Sequence, residues 1–100
     1  MRVILVDDDP LTRAAIKLLL RPREDYAVVA EAGDGREAID VVGRIEADIV
    51  LMDLGMPVMD GIEATRQICA APRHPYVVAL ITWDVDDAVV RVIEAGAVGY

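Results

Sequence analysis

Short apolar runs alternate with segments of helical period along the whole chain, and this alternation leaves few folds open. Val3-Ile4-Leu5-Val6 is the first run, within a strand expected over Arg2–Val6. Asp9-Pro10 then reads as an N-cap and a first-turn proline, ahead of a helix that Arg21-Pro22 ends. Within it Leu11, Ala14, Ala15, Leu18 and Leu19 recur at helical spacing and form one apolar stripe. Tyr26–Glu31 is a second strand, Gly33-Asp34-Gly35 a turn, and Arg36–Ile45 a helix with Ala38, Val41, Val42 and Ile45 on one face. Ala47–Asp53 is a third strand, Gly55-Met56-Pro57 a loop, and Asp60 the cap of a helix over Gly61–Ala70. Pro72 and Pro75 bracket a turn before a fourth strand, Tyr76–Ile81. A helix over Val85–Ala95 stops at Gly96, and Ala97–Tyr100 begins a fifth strand.

Strand and helix in strict alternation imply an α/β fold, a doubly wound parallel sheet joined by right-handed crossovers. The flavodoxin-like strand order 2-1-3-4-5 is expected. Ligands of such sheets bind beyond the carboxyl ends of the strands, where the order reverses. In that order the reversal lies between the first and third strands. Those two strands end in Asp7 and Asp8 and in Asp53. Three gathered carboxylates repel one another, which calls for a cation or a raised pKa. All-oxygen ligation suits Mg²⁺, Mn²⁺ or Ca²⁺.

At 100 residues the chain is one domain at most, and 55% hydrophobic content argues against disorder. A net charge of −8 argues against nucleic-acid binding by this segment, because phosphate backbones attract basic surfaces. Met1-Arg2 leads directly into a strand, so no signal peptide is expected, and the apolar runs are too short to span a membrane. Cys69 is the single cysteine, which fits a reducing cytoplasm.

Three segments carry a resemblance to a known family. Val6-Asp7-Asp8-Asp9-Pro10-Leu11-Thr12-Arg13 resembles the opening of bacterial response-regulator receiver domains. Asp53-Leu54-Gly55-Met56-Pro57-Val58-Met59-Asp60-Gly61 looks like their phosphoacceptor loop, and Gly96-Ala97-Val98-Gly99-Tyr100 like the entry to their fifth strand. The similarity spans residues 1–100, and the Asp-Pro-Leu start and the Trp83-Asp84-Val85-Asp86-Asp87 loop most resemble LuxR/FixJ-type transcription regulators. The resemblance implies that Asp53 accepts a phosphoryl group from a sensor histidine kinase. It implies Mg²⁺ held directly by Asp8, Asp53 and the backbone carbonyl of Gly55, with Asp7 acting through water. Output would pass to a DNA-binding domain absent from this chain, with homodimerisation as a possible partner mode, in the cytoplasm.

The chain departs from that pattern twice. Counting back from Gly96, the family's strand-end Ser or Thr falls on Ile81, with Thr82 next. Either Thr82 substitutes through a shifted loop or the phosphorylation switch is weakly coupled; a one-residue strand shift reverses the face and favours weak coupling. The family also continues past the aromatic at Tyr100, its switch residue, to a lysine and a fifth helix. The domain is therefore expected to be incomplete at its C-terminal end, with a sheet edge left open.

Other polar residues read as ordinary structure. Asp9 and Asp60 are helix caps, Cys69 a small packing residue, and His74 a loop residue with no ligand set around it. Two function classes follow: a phosphorylation-controlled signalling module, or an atypical receiver working as a phosphorylation-independent protein-binding or ligand-sensing module. A Mg²⁺-dependent phosphatase is disfavoured, since no positioned general acid is evident, and the domain is not expected to be an enzyme.

Overall fold

A computed structural model of the chain describes residues 1–54, 56, 60–80 and 96. Seven elements alternate through them: β1 (Arg2–Val6), α1 (Pro10–Leu20), β2 (Ala27–Ala32), α2 (Gly35–Arg44), β3 (Ile49–Asp53), α3 (Gly61–Cys69) and β4 (Tyr76–Leu80). Each helix begins on an aspartate in extended conformation. Asp9 accepts from Leu11 N, Asp34 from Glu37 N and Asp60 from Glu63 N. These bonds satisfy N–H groups that a helix start otherwise leaves unpaired. Asp34 therefore caps a helix that already begins at Gly35.

The strands form one parallel sheet in the order β2-β1-β3-β4. This is the expected order for four strands. The expected fifth strand and the helix over 85–95 lie outside the described residues. β2 and β3 are displaced from their expected limits of Tyr26–Glu31 and Ala47–Asp53. Their ladders start where β1 offers partners, with Arg2 opposite Ala27 and Val3 opposite Ile49.

Val3 and Leu5 of β1 are buried on one face of the sheet, while the larger core cluster lies on the opposite face. Ile4, Val6, Val50, Met52, Val77 and Ala79 pack there against Ala38 and Val41 of α2 and Ile62, Ala64 and Ile68 of α3. α1 takes the other face. Glu31 lies opposite Leu5 in the ladder and pairs with Arg13 and Lys17 of α1. The apolar stripe of α1 does not become core: no residue of the helix is buried, and Leu11 and Leu19 are 79% and 74% exposed. α1 reaches the sheet through the flank carrying Arg13, Ile16 and Lys17, which are only partly exposed. The stripe turns outward from it. On this face Ile49, Leu51, Val78 and Leu80 are likewise only half-buried. Among the described residues no helix is long and apolar enough to cross a membrane.

Candidate functional site

Parallel register brings the acids together. Val6 lies opposite Met52, so the chain leaves β1 at Asp7 beside the place where β3 ends at Asp53. One carboxylate oxygen each from Asp7, Asp8 and Asp53 lie within 4.8 Å of one another. Asp7 is buried at 5% exposure, Asp53 is half-buried and Asp8 is exposed, so the cluster opens outward through Asp8. Oxygens on one Mg²⁺ lie about 3 Å apart when adjacent and about 4 Å when opposite. The cluster is compatible with that spacing, and its all-carboxylate chemistry suits a hard cation.

The backbone under the acids is tied from several directions. Asp7 N–H donates to Ala32 O at 3.1 Å, extending the β1–β2 ladder past the strand. The Asp7 carboxylate accepts from Asp9 N at 2.9 Å. Arg13 reaches back from α1, and its Nη1 donates to the Asp7 carbonyl. Its Nε meets Glu31 Oε1 at 3.1 Å, while Lys17 Nζ meets Glu31 Oε2 at 2.9 Å. The Lys17 bond, with the charges of Lys17 and Arg13, holds the Glu31 carboxyl below its ordinary pKa against the opposing effect of burial.

Around Asp53, α3 presses on the main chain. Gly61 N–H donates to Leu54 O at 3.2 Å. A Cβ at Gly61 would stand 2.0 Å from the Asp53 carbonyl oxygen, so only glycine permits this approach. Met56 is buried and anchors the loop between β3 and α3 to the core. Sequence reasoning identifies neither Arg13 nor Gly61 as a support of the site. The arginine acts on a residue in another element, and the glycine's constraint comes from a strand end it does not adjoin in the chain. The Asp60-Gly61 pair before a helix is the one available signal, and it reads equally as a cap.

The remaining residues singled out by sequence divide clearly. Asp9 caps α1 and also accepts from Thr12 Oγ1 at 2.9 Å, so its carboxylate is engaged away from the cluster. The Cys69 thiol donates to Gly96 O at 3.5 Å, and burial raises its pKa, as befits a packing residue. His74 Nδ1 lies 2.8 Å from Pro75 O. Gly55, Ile81, Thr82, Trp83 and Tyr100 lie outside the described residues. A recess of about 500 Å³, lined by Ala14, Lys17, Leu18, Leu20, Arg21, Tyr26 and Val28, sits between the C-terminal part of α1 and β2, away from the acids.

Comparison with known proteins rests on the same features. The response regulator receiver domain family matches residues 3–100. The chain belongs to the receiver domain family of response regulators. Among its relatives, the transcriptional regulatory protein LiaR of Bacillus subtilis is 42% identical over the whole chain, which covers 47% of LiaR. The chain thus spans about half the length of the curated relatives it matches. A LuxR-family two-component response regulator from Aurantimonas has a solved structure with TM-score 0.92 and 39% identity, over 99% of this chain and 71% of that one. The receiver domain of Saccharomyces cerevisiae Ssk1, solved with the histidine phosphotransfer protein Ypd1, superposes with TM-score 0.84 at 25% identity, over 100% of this chain and 76% of that one. Receiver domains bind Mg²⁺ through acidic residues, and this receiver domain presents an aspartate cluster able to hold such an ion. Proteins named as transcriptional regulators and a protein-glutamate methylesterase of Methanococcus maripaludis are both among its relatives.

Proposed function

We propose that this receiver domain takes a phosphoryl group onto Asp53 from a sensor histidine kinase, in a Mg²⁺-dependent transfer. The observation that carries the reading is the convergence of Asp7, Asp8 and Asp53 at the carboxyl edge of the sheet. Asp8 and Asp53, with the backbone carbonyl of Gly55, would hold the ion directly, and Asp7 would hold it through water. When bound, Mg²⁺ supplies positive charge that offsets the charge developing on the phosphoryl oxygens.

An Asp53 carboxylate oxygen forms the new bond to phosphorus as the phosphorus–nitrogen bond to the donor histidine breaks. The departing imidazole leaves with the bonding pair and takes a proton. Asp8, exposed at the mouth, leaves the approach open, while Asp7 is buried. The acyl phosphate adds charge and strong acceptors to a crowded acidic pocket, a local change able to bias a two-state surface. In the longer protein implied by the relatives, that surface controls a DNA-binding output domain in the cytoplasm, with homodimerisation as its readout. Counting back from Gly96 puts Ile81 at the switch position, which favours weak coupling between phosphate and surface unless Thr82 substitutes for it.

The test is phosphate incorporation from acetyl phosphate, with and without Mg²⁺, in wild type and Asp53→Asn. Uptake that needs both Mg²⁺ and Asp53 is expected. Equal uptake by Asp53→Asn moves the acceptor elsewhere. No uptake by wild type favours the phosphorylation-independent binding module.

A further inference from the structure

We infer that Arg13 is a positioning residue for the metal site, setting the direction of the Asp8 carboxylate through the peptide bond that precedes it. The inference rests on the reading of Asp8 as a Mg²⁺ ligand. The Asp7 carbonyl and the Asp8 N–H belong to one planar peptide unit. Arg13 Nη1 donates to that carbonyl, so the guanidinium fixes the plane of the unit and limits rotation on both sides of it. Rotation on the far side is φ of Asp8, which swings the exposed Asp8 side chain into or out of the cluster. Among the described residues no backbone bond to this unit is seen. The last sheet bond in this strand direction is Asp7 N–H to Ala32 O, and it constrains the preceding peptide unit.

Arg13 is itself held at its other donor. Nε lies 3.1 Å from Glu31 Oε1, and Lys17 holds the second Glu31 oxygen at 2.9 Å. A guanidinium suits this task because its donors sit in a rigid planar fork; one edge engages the carboxylate while the other engages the carbonyl. The chain Lys17–Glu31–Arg13–Asp7 thereby connects α1 and β2 to the ligand at the end of β1. At 21% side-chain exposure Arg13 is more shielded than the other ion-paired cations among the described residues, so its bonds compete less with water.

The test measures the Mg²⁺ dissociation constant calorimetrically in the intact protein for wild type, Arg13→Met, Arg13→Lys and Glu31→Gln. Groups that orient metal ligands change metal affinity roughly 10- to 100-fold when removed. Arg13→Met is expected to weaken Mg²⁺ binding at least about tenfold. Its rate of acyl-phosphate formation from acetyl phosphate should return toward wild type at saturating Mg²⁺, since Asp53 is unaltered. Arg13→Lys keeps a charge but not the fork, and should recover part of the loss. Glu31→Gln should weaken binding less, by loosening the anchor alone. A purely structural role would lower the melting temperature and leave the dissociation constant of folded protein unchanged. An unchanged constant in Arg13→Met overturns the inference. Should Arg13→Met not fold, the same result in Glu31→Gln, whose side chain is 34% exposed, overturns it. Absence of Mg²⁺ binding by wild type would instead sink the reading of the acidic cluster, and the role of Arg13 with it.

Discussion

Replacing Gly61 by alanine tests whether α3 sets the backbone of Asp53. A Cβ there would lie 2.0 Å from the Asp53 carbonyl oxygen and 2.8 Å from both the Asp53 carbonyl carbon and Leu54 Cα. All three are backbone atoms, so no rotamer change relieves the clash. Carbon–oxygen contacts settle at about 3.3 Å or more, so the two segments must separate by roughly an ångström. Separation is resisted on both sides of the glycine. Its N–H donates to Leu54 O at 3.2 Å, and its carbonyl accepts from the buried Thr65 Oγ1 at 2.7 Å. Overfilling a packed site costs about 1–3 kcal/mol, occasionally more. Better helix propensity of alanine returns less than about 1 kcal/mol of that. In a domain of this size a net loss of about 0.5–2 kcal/mol lowers the melting temperature by roughly 2–15 °C.

Gly43→Ala is the matched control. It makes the same exchange in α2, where nothing lies within 4 Å of the added Cβ. A gain of about 0.5–1 kcal/mol is expected there. Urea titrations followed by far-ultraviolet circular dichroism give both changes, and thermal melts with and without Mg²⁺ report on the site. Movement of the Asp53 backbone should also shrink the Mg²⁺-induced rise in melting temperature for Gly61→Ala and leave it intact for Gly43→Ala. A Gly61→Ala protein as stable as wild type, with a full Mg²⁺ response, would refute the reasoning.

Asp8→Ala should abolish Mg²⁺-induced stabilisation in thermal melts without lowering metal-free stability, since it relieves repulsion in the cluster; a metal-free loss of several kcal/mol would reveal a structural partner of Asp8. Glu31 has its pKa lowered in the folded chain by Lys17 and Arg13, so its contribution is present above the ordinary carboxyl value of 4.5 and is lost as pH falls through the lower folded value. Partial exposure limits this to at most about 1 kcal/mol, so acid unfolding of Glu31→Gln should differ from wild type at neutral pH and converge with it in strong acid. Leu19→Lys should change the stability of the 100-residue chain by no more than about 0.5 kcal/mol, because the leucine is 74% exposed, while reducing self-association seen by sedimentation; a large stability loss would show that the α1 stripe is covered.

Local chemistry is legible in the amino-acid sequence. Asp9 and Asp60 read as caps because a carboxylate one residue ahead of a helix is placed to accept from that helix's free N–H groups. The strand-end positions of Asp7, Asp8 and Asp53 follow from apolar runs that stop at them. Parallel pairing follows from the alternation, since a helical crossover returns the next strand in the same direction. What neighbours decide is not legible there. The limits of β2 and β3 depend on where β1 begins, because a ladder needs a partner at every step. The stripe of α1 has the period of a buried face, yet Leu11, Leu18 and Leu19 are exposed, because period states which residues share a face and only packing states whether that face is covered. Arg13 and Gly61 gain their meaning from contacts with the Asp7 and Asp53 carbonyls. A backbone carbonyl carries no signature in the amino-acid sequence, so only the tertiary structure could assign those two residues to the site.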